Sequence, residues 1–136
     1  MPAKRKTVKK TARPPAAVRE PDRAAWDALA EMGALGVLAP EADGGMGLDE
    51  RWLVLVLEQA GYAALAQPIV ETAAVAAPIL AGRANGSAMV STDLGGPIVA
   101  WAAHADHLLL TNSDNQLVVV DPAEVDESVL ADPHFT

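Results

Sequence analysis

Residues 33–47 read Gly33-Ala-Leu-Gly-Val-Leu-Ala-Pro-Glu-Ala-Asp-Gly-Gly-Met-Gly47. A short apolar run ends in Pro40-Glu41, and a glycine turn follows. On either side the periodicity is helical. The stretch is therefore a connection between two helices, and its glycines mark a tight turn that needs positive φ. It is not a phosphate loop: the third glycine of a dinucleotide fingerprint is missing after Gly44-Gly45-Met46-Gly47, and no Lys-Ser/Thr pair follows.

Upstream, Pro21–Met32 is predicted to be a helix. Pro21 suits a first turn, Glu20 and Asp22 suit the positive end of the helix dipole, and Gly33 suits the position after the last turn. Trp26, Leu29, Ala30 and Met32 fall on one stripe. Downstream, Asp49–Ala60 is predicted to be the second helix, with Asp49 as N-cap and Gly61 as the stop. Trp52, Leu53, Val56, Leu57 and Ala60 keep helical spacing. Val54 and Leu55 widen the stripe, which predicts a helix buried on more than one side. A third helix is expected over Pro68–Ala81, ended by Gly82, with Pro78 kinking it or splitting off its last turn.

After Gly82 the period shortens. Ala88–Ser91, Asp106–Thr111 and Gln116–Val120 are short strand-like runs. Asn112-Ser-Asp-Asn115 is a turn cluster, so residues 106–121 are expected to form a hairpin ended by Pro122. Residues 123–136 show no completed element. The expected fold class is α+β: a mainly α N-terminal helical domain followed by an incomplete antiparallel β segment. The expected divisions are a disordered basic tail over 1–19, a helical domain over 20–82, and a truncated partial β-domain over 83–136.

Of the 136 residues, 28 are Ala and one is Phe. An Ala-built core buries little apolar area per residue, which predicts marginal stability unless a partner covers apolar surface. Cysteine is absent, which removes disulfides and thiolate metal sites and suits a cytoplasmic protein. No apolar run reaches the ~20 residues of a membrane span. The net charge of −8 is divided unevenly. Residues 1–15 carry six cations and no acids, whereas residues 16–136 carry 4 cations and 18 acids. A basic arm of this kind can contact phosphates, but no aromatic or folded recognition element accompanies it, so nucleic acid is the disfavoured partner.

Other candidate chemistry is thin. His104 and His107 enter a strand, where a spacing of three puts them on opposite faces, and no third metal ligand is evident. Asp49–Glu50 and Asp126–Glu127 lack a neighbouring histidine, lysine or nucleophile. No Gly-x-Ser-x-Gly turn surrounds Ser87, Ser91 or Ser128. Glu71 lies in the apolar third helix. Exposure or a partner contact is its ordinary reading, and burial there would raise its pKa and mark a pocket.

Three stretches taken together resemble the N-terminal part of the acyl-CoA dehydrogenase flavoproteins. The first, Trp26–Gly47, looks like the family's helix and loop ending in Pro-Glu-x-aromatic-Gly-Gly-x-Gly. The second, Leu53–Tyr62, is similar to its next helix. The third, Gln67–Leu80, is similar to a helix common in actinobacterial-type members. Residues 97–121 look like the opening of the family's middle β-domain. Asp43 departs from the pattern, standing where an aromatic residue is usual. The Thr-Glu-Pro flavin-contact stretch is also missing, since Arg83-Ala-Asn-Gly-Ser is too short to hold it.

The resemblance implies α,β-dehydrogenation of a fatty-acyl-CoA or related acyl-CoA, a reaction of lipid metabolism. In the family a carboxylate base takes the α-proton and FAD takes the hydride. It also implies that the inner face of the third helix, through Val70, Glu71 and Ala74, lines the acyl-chain pocket as substrate-binding residues. No catalytic, cofactor-binding or metal-binding residue is carried over. The base and most of the flavin site are expected to lie outside this chain. An inactive N-terminal fragment that binds neither FAD nor acyl-CoA alone is therefore expected. The alternatives are a non-catalytic subunit packed on a homologous full-length dehydrogenase, self-association, and a nucleic-acid-associated protein working through its tail. Some members of the family do work as unequal pairs.

Overall fold

The computed structural model describes residues 20–80, 87–93 and 99–125. The expectations for the tail over 1–19, for the Gly82 stop and for residues 126–136 lie outside the described residues.

The first helix, α1, spans Arg23–Glu31. Its N-cap is Asp22, whose carboxylate accepts the Ala25 N–H at 3.0 Å. Gly33 closes it in the left-handed region at φ 77°, with its N–H on the Ala30 carbonyl. Two short 3₁₀ turns follow, Ala34–Gly36 and Glu41–Asp43. The glycine turn then folds back on the apolar run. Met46 N–H donates to Gly36 C=O, Gly47 to Ala39 and Leu48 to Val37, at 2.8–2.9 Å. Gly44 and Gly47 take φ of +85° and +59°. Gly45 is required for a different reason: a Cβ there would run into the backbone of Ala39, with the carbonyl carbon at 2.5 Å. The sequence expectation of a positive-φ turn therefore holds, with a close backbone approach added to it.

The second helix, α2, spans Glu50–Tyr62 behind an Asp49 N-cap that accepts the Arg51 N–H at 3.1 Å. Gly61 does not stop it. The helix runs one residue further and closes with Ala64 N–H on Gly61 C=O and Leu65 N–H on Ala60 C=O. That pair of bonds is the Schellman arrangement, with Ala64 in the left-handed position at φ 51°. Leu65 packs back against the cluster containing Ala60, which offsets the strain at an alanine.

The third helical segment differs most from expectation. Glu71–Ala76 winds as a π-helix, and the helix α3, Ala77–Ile79, returns to α geometry with Pro78 in its first turn. Ala77 N–H reaches back five residues to Thr72 C=O. Proline has no N–H to give and its ring clashes with the carbonyl four residues earlier. Widening the turn ahead of Pro78 accommodates both, in place of a sharp kink.

Three strands form one sheet in the order β1 (Val90–Thr92), β2 (His107–Thr111) and β3 (Leu117–Val120). The predicted hairpin is present. β2 and β3 pair antiparallel with Leu108 opposite Val120. Asn112 shapes its turn by accepting the Asp114 and Gln116 N–H groups. β1 is parallel to β2, with Val90 opposite His107, so the sheet is mixed and only its hairpin is antiparallel. The 14 residues from 93 to 106 give the crossover that parallel pairing needs. The helical part followed by strands makes the chain α+β.

The core follows from these placements. Trp26, Leu35, Ala60, Ile69 and Met89 pack together beneath α1 and α2. Ala39, Ala76, Ala77, Val90 and Leu109 join the third helical segment to the sheet. Among the described residues no helix is long and apolar enough to cross a membrane.

Candidate functional site

Three places in the fold gather side chains that can do more than pack. The π-helical turn is the first. Thr72 is fully buried, and its hydroxyl donates to Val90 C=O and accepts the Val90 N–H, both at 3.0 Å. One side chain thus occupies both backbone groups on the outer edge of β1 and fixes how the turn is rotated against the sheet. Beside it Glu71 is half-buried, and burial raises its pKa above the ordinary carboxylate value, partly opposed by its own backbone N–H. The sequence made burial of Glu71 the sign of a pocket. The three residues carried over by resemblance do not share one environment. Val70 is 45% exposed, Glu71 is half-buried, and Ala74 packs against Val37, Leu53 and Ala73.

The second place is a groove between α1 and α2. Leu29 comes from α1, Met32 from its C-cap, Ala34 from the following turn, Leu55, Val56, Gln59 and Ala60 from α2, and Leu65 from beyond it. Its volume is about 380 Å³, and Gln59 supplies its one polar side chain. Val70, Glu71 and Ala74 are not among its walls. The sequence missed this groove because the apolar breadth of α2 reads as burial on more than one side. The structure buries Leu53 and Ala60 but leaves Trp52 and Leu55 53% exposed and Val54 59% exposed. The available signal was that breadth itself, since a helix apolar beyond its packed face is either buried twice or waiting to be covered.

The third place is polar. Arg23 donates to an Asp106 carboxylate oxygen at 3.2 Å and to the His104 carbonyl at 2.8 Å. The same oxygen of Asp106 accepts the Met89 N–H at 2.7 Å. Asp106 therefore ties α1 to the start of β2 and to the residue before β1. Glu20 and Pro21 line the recess beside it. Its lone ion pair is half-exposed on both sides, which is worth little in stability by itself. His107 opens β2, but His104 lies three residues before it and not in the strand as expected, and among the described residues no group of three or more acidic, histidine or cysteine side chains is placed to hold a metal.

No reacting constellation of nucleophile and base is assembled in these three places. They offer an apolar groove, a half-buried carboxyl and a clasp. The description "Acyl-CoA dehydrogenase, N-terminal domain" belongs to a family model that matches residues 3–89. The match takes in α1, the glycine turn, α2 and the π-helical turn, and ends ahead of the β2–β3 hairpin. No curated protein and no solved structure is matched.

Proposed function

Because the chain belongs to the acyl-CoA dehydrogenase family through that N-terminal domain, we propose that residues 20–82 form the helical module that walls the acyl-chain pocket of such an enzyme. The wall is assigned to the third helical segment through Val70 and Glu71, with Ala74 supporting it from its packing against Val37, Leu53 and Ala73. The observation that carries this is Glu71. It sits half-buried on an apolar helical segment, and burial raises its pKa above the ordinary carboxylate value, the environment a residue bordering an apolar acyl chain would have. Residues 83–136 open the β-domain that follows.

We further propose that these 136 residues do not dehydrogenate an acyl-CoA by themselves. FAD supplies the hydride acceptor when it is bound in the family. The described residues do not fit its diphosphate, because Arg23 and Arg51, their two Lys/Arg side chains, are both paired to carboxylates. Glu71 stands on the wall of the pocket and is not assigned as the base. Purified chain supplied with FAD, acyl-CoA and an electron-accepting dye is expected to show no reduction above a blank of FAD alone, and a rate above that blank refutes inactivity. For the pocket wall, a diazirine-tagged acyl-CoA is photolysed in lysate of expressing cells, where any partner is present. Adducts are expected within residues 69–79, and adducts confined elsewhere refute the assignment. A subunit packed on a homologous dehydrogenase is the second reading, favoured by the exposed apolar side of α2.

A further inference from the structure

Among the described residues nothing covers the α1–α2 groove, and its chemistry restricts what can. Trp52, Leu55, Gln59 and Tyr62 follow one another at spacings of three, four and three, so they lie on one face of α2. Trp52 and Leu55 are 53% exposed and Tyr62 is 90% exposed. The ten steps from Trp52 to Tyr62 at ~1.5 Å each make a strip of about 15 Å, or about three helical turns. Met32 at the C-cap of α1, 67% exposed, borders the same groove. A largely apolar strip of this kind, broken only by Gln59, marks on a surface a place that another molecule covers.

Charge selects the occupant. Among the described residues there are 15 Asp and Glu against two Arg, and both arginines are engaged by Asp49 and Asp106. Glu58 is exposed, three residues from Leu55 and four from Tyr62, which puts it on the edge of the strip. Glu31, also exposed, precedes Met32 on the α1 side. The described surface of a second copy would set acidic rim against acidic rim, and the cationic arm over residues 1–15 carries no apolar stripe to fill the groove. A fatty carboxylate or an anionic lipid surface would meet the same repulsion. An amphipathic helix with an apolar stripe and Lys/Arg flanks satisfies both the groove and its rim, in the manner of helix-in-groove recognition.

We propose that the α1–α2 groove docks a cationic amphipathic helix of about three turns belonging to another protein. This is independent of the acyl-pocket assignment, because Val70, Glu71 and Ala74 do not line the groove.

The test uses the full chain and a fluorescein-labelled 14-residue Leu/Lys peptide with leucines at helical i, i+3/i+4, i+7 spacing. It is compared with a scramble of the same composition that lacks the stripe, and with a version carrying Glu for Lys. Fluorescence anisotropy at physiological salt is expected to show the striped peptide binding at least tenfold more tightly than either control. Leu55→Ser, a surface change whose fold is checked by circular dichroism, is expected to weaken binding at least tenfold. The double variant Glu31→Lys with Glu58→Lys is expected to remove the preference for Lys over Glu. Equal binding of the scramble, or binding indifferent to Leu55→Ser, overturns the proposal. A dimer in sedimentation, or binding to anionic vesicles, that Leu55→Ser abolishes also overturns it, in favour of a second copy or a membrane.

Discussion

Replacing Thr72 with valine keeps the shape of the side chain and removes its hydroxyl. In the native chain that hydroxyl satisfies both Val90 N–H and Val90 C=O at 3.0 Å, and both residues are fully buried. Water does not reach the two backbone groups once the hydroxyl is gone. A buried donor or acceptor stripped of its partner costs about 1–3 kcal/mol. Two such groups, partly relieved by local shifts, give an expected loss of about 2–4 kcal/mol. That is a large share of the ~5–15 kcal/mol of an ordinary domain. Thr72→Ser keeps the hydroxyl and loses one methyl, for which about 1 kcal/mol is expected. Urea unfolding followed by circular dichroism and by tryptophan fluorescence separates them, with the order wild type, Ser, Val. Hydrogen exchange adds a local measure: the Val90 amide loses protection in Thr72→Val and keeps most of it in Thr72→Ser. If Thr72→Val is as stable as Thr72→Ser, or more so, the hydroxyl is not what joins the π-helical turn to the sheet.

Two further outcomes follow from the structure. Burial raises the Glu71 pKa above its ordinary value in the folded chain. Between the ordinary value of 4.5 and the raised one, the folded state holds more protons than the unfolded state, so stability falls as pH rises through that window. Glu71→Gln is expected to flatten this slope and to stabilise the chain at pH 7 but not at pH 4. Melting curves at the two pH values check it, and an equal effect at both refutes it. The turn glycines are expected to separate by mechanism. Gly44→Ala meets no atom within 4 Å and bears only its φ of +85°, at about 1 kcal/mol. Gly45→Ala strikes the Ala39 carbonyl, which is backbone and cannot swing away, so its loss is expected to exceed the ~1–3 kcal/mol of ordinary overpacking. Thermal unfolding of the pair tests the order.

What was legible in the sequence was whatever one local contact decides. Asp22 and Asp49 cap because a short carboxylate reaches backbone N–H groups two or three residues on. Gly33 ends α1 because the chain must turn through the left-handed region there. Asn112 declares its turn for a related reason. The misreadings occur where two local signals compete or where the partner is remote. Gly61 looked like a stop, yet Leu65 burying against Ala60 settles where α2 ends and forces Ala64 into the left-handed region. Pro78 announced a disturbance, but its form as a π-turn was not legible from Pro78 alone, and Thr72 within that turn finds its partner in β1, 18 residues away. The parallel direction of β1 is likewise a matter of the crossover and not of its own three residues. At the candidate site, the family's loop and helices were readable from side-chain order. The α1–α2 groove was not, because exposed and buried apolar residues look identical until α1 is seen to cover only one side of α2.

The Arg23–Asp106 clasp bears on the order in which the chain assembles. Its partners are 83 residues apart, whereas Asn112 and Gln116 of the hairpin turn are four apart. Logarithmic loop-closure scaling makes the longer closure costlier by about 3 kcal/mol before any contact repays it. The hairpin can therefore form early from its own turn, while α1 comes to rest against it only when the intervening helices have shortened the distance. Asp106 meanwhile has the Met89 N–H to hold, so its carboxylate is already oriented when Arg23 arrives. The clasp is then a late latch: it closes only after α1 has come to rest beside the start of β2.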